Sequence, residues 1–243
     1  MKQDVITRKI FLQSSRELAQ NDICRIATTT VNDHTKPPVL NASPLSVKDY
    51  TLAPQQSVSI DNRLPLTFIT IIPVTGSLDY CLNNNISYTI NPGEAFKTCL
   101  HANDRIDVFN LFRKELINFI VVETMPSDQN FTAPQTEISS IRDDDPIVSF
   151  DINSSYNSLV QINGPQGNSP YYIGKFKART SYAFSRIKPQ TNIFIYVIEG
   201  AFEVAECLLE DRDGLLLNKD CVCEWEALSN DAILMVIEFP PTM

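Results

Sequence analysis

Two short stretches carry residue types at a spacing that could do chemistry. In "SIDNRL" (59–64) Asp61 and Arg63 stand two residues apart. In "RIDVFN" (105–110) Arg105 and Asp107 do the same, interleaved with Ile106 and Val108. Residues i and i+2 of a strand point to one side, so each pair offers a cation beside a carboxylate. An open iron or nickel site instead needs several imidazole or carboxylate groups converging on one point. Small barrels with such a site commonly place two histidines in the polar approach to an apolar strand. Here the approach holds Asp61, Asn62, Arg63 and Leu64, and the chain's two histidines are His34 and His101.

The elements that must position these residues are strands. Runs rich in Val, Ile, Thr, Phe and Tyr recur between Asn, Asp, Pro and Gly punctuation. They predict strands over 23–29, 45–52, 67–72, 95–100, 117–123, 171–176, 193–198 and 232–239. "SSRELAQ" (14–20) is the best short helix, with a serine to cap its first turn. The chain also repeats weakly. "TFITIIPVTGSLDY", "INPGEAFKTCL" and "INFIVVETMP" are echoed by "NIFIYVIEGAFEV", "DRDGLLLNKDCVCEW" and "AILMVIEFPP". Each copy has a Gly after its first strand (Gly76, Gly200) and a second Gly opening a later one (Gly93, Gly214). Each closes on a strand that stops at proline (Pro126, Pro240). Glycine permits a sharp corner and proline blocks continuation, so the expectation is two similar barrels. The polar segment 125–146 is the natural linker.

Order and spacing give the chain a resemblance to pirin-type bicupins. It rests on the two tandem copies, Pro92-Gly93-Glu94 followed by a strand ending Val108-Phe109-Asn110, and the C-terminal "EFPP". The resemblance implies an all-β protein of two tandem cupin barrels, jelly-roll-like double-stranded β-helices, with domains over 1–135 and 136–243. It also implies an iron-type metal in the first barrel, held by an H-x-H pair and by a His and a Glu on a later strand. Running without a gap from Pro92-Gly93-Glu94 puts Ile106 and Val108 at that second pair. Neither can bind a metal, and no histidine lies between His34 and His101. The expectation is therefore a degenerate site with no metal and no cofactor.

What fills that barrel stays open in the sequence. Ile60, Leu64, Leu66, Ile106 and Val108 could close into a core. Alternatively the mouth could bind a small molecule, with Ile106 and Val108 among its apolar walls and Arg63 and Arg105 as anion anchors beside Asp61 and Asp107. The leading reading is a non-catalytic small-molecule-binding or regulatory protein. The alternatives are a quercetinase-like dioxygenase using ligands foreign to the family, and a redox sensor built on one of six cysteines.

Charge and composition exclude other classes. A net charge of −9 with scattered basic residues offers no stripe for nucleic acid or an anionic membrane. No apolar run is long enough for a signal peptide or a membrane span, so a cytoplasmic location is expected, with free, mostly buried thiols. The N-x-S/T sequons at Asn41, Asn85, Asn130 and Asn153 carry no weight without secretion. Asp143-Asp144-Asp145 reads as a solvated linker run. In "CVCEWEA" Glu224 and Glu226 share one strand face and Trp225 packs on the other, while Cys221 and Cys223 form a C-x-C pair that lacks a second pair. No Walker loop, G-x-G-x-x-G or G-x-S-x-G is present. Exposed edge strands make a homodimer a further possibility.

Overall fold

β-branched and aromatic side chains fit a pleated, half-buried surface, and the chain uses them throughout. In a computed structural model the described residues are 8–31, 45–85, 87–125, 147–162, 170–187 and 190–239. In chain order the first strands are β1 (Arg8–Phe11), β2 (Glu17–Gln20), β3 (Cys24–Val31), β4 (Leu45–Leu52), β5 (Ser57–Asp61) and β6 (Leu66–Thr75). There follow β7 (Leu78–Leu82), β8 (Tyr88–Ile90), β9 (Glu94–His101), β10 (Arg105–Phe109), β11 (Ile117–Thr124) and β12 (Ile147–Ser149). The later strands are β13 (Ser158–Ile162), β14 (Tyr171–Phe176), β15 (Ser181–Phe184), β16 (Asn192–Glu199) and β17 (Phe202–Val204). The last are β18 (Cys207–Leu209), β19 (Gly214–Leu217), β20 (Cys223–Ala227) and β21 (Ala232–Phe239). The fold is all-β, as expected, and among the described residues there is no α-helix.

The chain forms two compact units, here called the first and second barrels. The first barrel faces a seven-stranded sheet, β12-β9-β6-β11-β4-β3-β2, with a four-stranded sheet, β5-β10-β7-β8. The second pairs a six-stranded sheet, β1-β19-β16-β21-β14-β13, with a four-stranded one, β15-β20-β17-β18. The orders β9-β6-β11-β4-β3 and β19-β16-β21-β14-β13 correspond term by term, so the weak sequence repeat is a structural repeat. Each barrel encloses its own apolar cluster, around Phe96, Phe119 and Ile106 in one and Phe176, Phe202 and Trp225 in the other.

Two features depart from the sequence reading. "SSRELAQ" is not a helix: a single 3-10 turn at Gln13–Ser15 leads into β2, whose residues pair with Arg25 to Thr28 of β3. No serine caps the turn, which follows Leu12 without a side-chain cap bond, and sheet pairing overrides a short, weak helical propensity. The second departure is β1. Read in sequence it opens the first domain, yet residues 8–16 belong to the second barrel, where β1 pairs with β19 along Arg8↔Leu217 to Phe11↔Gly214. The first barrel's corresponding strand, β9, takes β12 as its outer partner instead.

The repeated glycines serve two purposes. Gly76 and Gly200 turn corners at φ of +76° and +84°, a region closed to most side chains. Gly214 is needed for space: a Cβ there would lie 2.4 Å from Phe194 Cζ. Pro126, Pro240, His34, Asp143–Asp145 and the sequons at Asn41 and Asn130 lie outside the described residues.

Candidate functional site

The antiparallel register of β5 and β10 decides which candidate residues can meet. Ile106 lies opposite Ile60, and Val108 opposite Val58. Ile106 and Val108 are fully buried and Ile60 nearly so, all within the apolar cluster of the first barrel. Their neighbours alternate to the other face of the sheet. Arg105 lies opposite Asp61, and Asp107 opposite Ser59. The residues grouped by the sequence therefore divide: Ile106 and Val108 face the interior, whereas Asp61 and Arg105 do not.

On that other face the charges engage one another. Arg105 Nη2 and Nε lie 2.6 and 2.7 Å from Asp107 Oδ1, and Ser59 Oγ donates to the same oxygen at 2.7 Å. Burial opposes ionisation of Asp107, but the hydrogen bonds from Arg105 and Ser59 outweigh it and hold the carboxyl below the usual range. Asp61 and Arg63 are exposed. Among the described residues Arg63 makes no ion pair, so it is the uncommitted cation of the group.

Asn62, two residues beyond Ile60, is buried and saturated. Its Nδ2 donates to Leu64 O and Leu100 O, and its Oδ1 accepts from Leu64 N and Thr67 Oγ1. That is the full capacity of a primary amide. Asn62 pins the approach to the chain beside it and has no group left for a ligand. Asn110 does the same at the far end of β10. Its Nδ2 donates to Leu52 O, Ala53 O and Glu115 O, and its Oδ1 accepts from Phe112 N. His101 ends β9, half-buried, with Nδ1 3.5 Å from Asp104 Oδ2. Among the described residues no three His, Cys, Asp or Glu side chains converge as a metal ion requires.

The second barrel treats the same place differently. Cys223 lies opposite Phe184 and Trp225 opposite Tyr182, matching Ile106 over Ile60 and Val108 over Val58. Two residues beyond Phe184, where the first barrel has Asn62, stands Arg186. Its Nη1 donates to Cys221 O at 2.6 Å and its Nη2 to Asn218 O at 2.8 Å. The nearly inaccessible Glu238 accepts from Ile187 N and Thr191 Oγ1. Tyr172, whose ring meets Phe184 edge-on, has a buried Oη with no hydrogen-bond partner among the described residues. This polar end escaped the sequence reading. Its signal was the strand alternation that carries "YAFSR" from Tyr182 through Phe184 to Arg186.

None of the six cysteines is in a disulfide, with Cys24, Cys81, Cys99 and Cys223 buried and Cys207 and Cys221 partly so. Burial pushes Cys24 up to about 11 and Cys223 up to about 12, which keeps both protonated near neutrality. Glu224 is exposed and Trp225 packs in the core, as the alternation predicts. Among the described residues no helix is long and apolar enough to cross a membrane.

The sequence matches no protein-family model and no curated protein. Its backbone resembles solved structures. YhhW from Escherichia coli superposes with a TM-score of 0.73 at 12% identity, covering 97% of this chain and 99% of that one. The bacterial pirin YhhW in complex with nickel(II), also from E. coli, gives 0.71 at 13% identity over 96% and 99%. YhaK from E. coli gives 0.65 at 14% identity over 88% and 93%.

Proposed function

We propose that this chain, which has the fold of a pirin-type bicupin, is a non-catalytic binding or regulatory protein working without a metal centre in its first barrel. The observation that supports this is the burial of Ile106 and Val108 in the apolar core, where the resemblance expects a His and a Glu. Alkyl groups have no lone pair to give a metal. Asn62, at the polar approach, has spent its amide on neighbouring chain atoms. A dioxygenase would need at least three donors within bonding distance of one point. If a small anion binds beside β5, Arg63 is the cation left to meet it, because Arg105 is committed to Asp107.

Metal content by plasma mass spectrometry tests the reading, on untagged protein purified without chelator and again after incubation with iron, nickel, zinc and manganese. The expected result is metal well below stoichiometry throughout. Near-unit stoichiometry of any of the four would overturn it and return attention to Asp61, Asp107 and His101 as ligands.

A further inference from the structure

One end of the first barrel displays apolar side chains that its own fold holds out in water. In the loop after β10, Leu111 is 68% exposed, Leu116 58% and Phe112 38%. Ile23, at 41%, is close by: Ala53 N donates to Ile23 O and Gln55 N to Phe112 O. The loop is not a loose tip. Asn110 ties both ends of it, through Phe112 N and Glu115 O, to the strand end at Leu52 and Ala53. Phe112 also backs onto Gly76, where an added Cβ would sit 3.4 Å from Phe112 Cε2. A loop this well tied presents its apolar groups already ordered, so little conformational entropy is lost when they are covered.

Beside this knob lies a hole. A cavity of about 220 Å³ is lined by Gln55, Gln56, Ser57, Phe109, Asn110 and Leu111. It falls below the roughly 300 Å³ at which small-molecule pockets begin, and suits a single protein side chain better than a cofactor. Knob and hole share Leu111 and are adjacent on one surface, which is the arrangement a two-fold contact requires: each copy offers what the other receives.

Charge favours the same occupant. The loop carries Arg113, Lys114 and Glu115, all exposed. A two-fold rotation lets the cations of one copy meet the carboxylate of the other.

We propose that the Leu111–Leu116 face, with its adjoining cavity, is a contact with a second copy of this chain. Sedimentation velocity across a wide concentration range tests it, on the full chain. The expected result is a reversible monomer–dimer equilibrium. Leu111→Asp and Leu116→Asp should each weaken it at least tenfold while leaving the thermal transition unchanged, since both residues are exposed. The pair Arg113→Glu and Lys114→Glu should weaken it too, and adding Glu115→Lys should restore it by re-creating both signs. A monomer at every concentration overturns the proposal, as does a dimer indifferent to the leucine substitutions. Monomeric protein that floats with anionic vesicles through this loop also overturns it, in favour of a membrane.

Discussion

At the scale of single residues, the chain keeps unusual polar groups where water is scarce. Lys97 on β9 is 2% exposed, and burial lowers its ammonium to about 7. The unfolded chain holds that proton up to the ordinary value near 10.5, so between about 7 and 10.5 the unfolded state binds more protons than the folded one. Stability attributable to Lys97 therefore rises with pH across that window, and the burial penalty is felt in full below it. Lys97→Met should remove this slope, because methionine has no proton to exchange. Urea unfolding of both proteins at pH 7 and pH 9 reads it, and parallel pH dependences would refute the assignment. That Ile106 and Val108 share a face was readable in advance from the period of two in "RIDVF", and both are buried. The part played by Asn62 was not readable, because a saturated amide and an idle one are the same letter. Arg186 was hidden for a related reason: its partners, Cys221 O and Asn218 O, are backbone atoms more than thirty residues away, which no local pattern announces.

At the scale of elements, alternation explains most of what was foreseen and one grouping that was not. The apolar strands emerged close to their expected bounds, because β-branched runs between turn residues have few other uses. The same period of two separates Arg105 from Ile106, although the sequence reading had gathered them at one mouth. Register, once known, also locates a cost. Glu203 of β17 lies directly opposite Glu226 of β20, on a face that carries Glu224 as well. A groove of about 420 Å³ crosses it, lined also by Glu206. Arg179 pairs with Glu226 at 3.4 Å and Arg8 with Glu206 at 3.2 Å, both largely in solvent and of small value. Like charges facing each other across strands destabilise, so Glu203→Lys should stabilise the second barrel by about 0.2–1 kcal/mol. The gain should shrink at high salt. An unchanged denaturation midpoint at low salt would count against the pairing.

At the scale of the molecule, the two-barrel plan was legible from the repeat, but the path of the chain through it was not. Nothing in "RKIF" says that its partner is "GLLL", because strand propensity carries no address. The attachment is specific nevertheless. Phe11 meets Phe194 edge-on at 5.6 Å, Gln13 N donates to Asp213 Oδ1 at 2.7 Å, and Arg16 Nη1 reaches Tyr196 Oη at 2.7 Å. Removing residues 1–12 should uncover β19 as a free edge and weaken the second barrel. Trp225, the chain's sole tryptophan, sits in that barrel's core and reports its unfolding by fluorescence. Its transition should move to lower denaturant after truncation. A midpoint that stays in place would mean that β1 is an ornament.

That attachment has a bearing on time. During synthesis β1 is made before its partner β19, which is about two hundred residues further along, as the contact of Arg8 with Ala205, 197 positions away, illustrates. At roughly 5–20 residues per second, about 10–40 s separate the two on the ribosome. Throughout that interval the first barrel can complete its own pairing, while the segment before it waits with an unsatisfied edge. In those seconds "RKIF" is a strand without its partner, open to pairing with another chain.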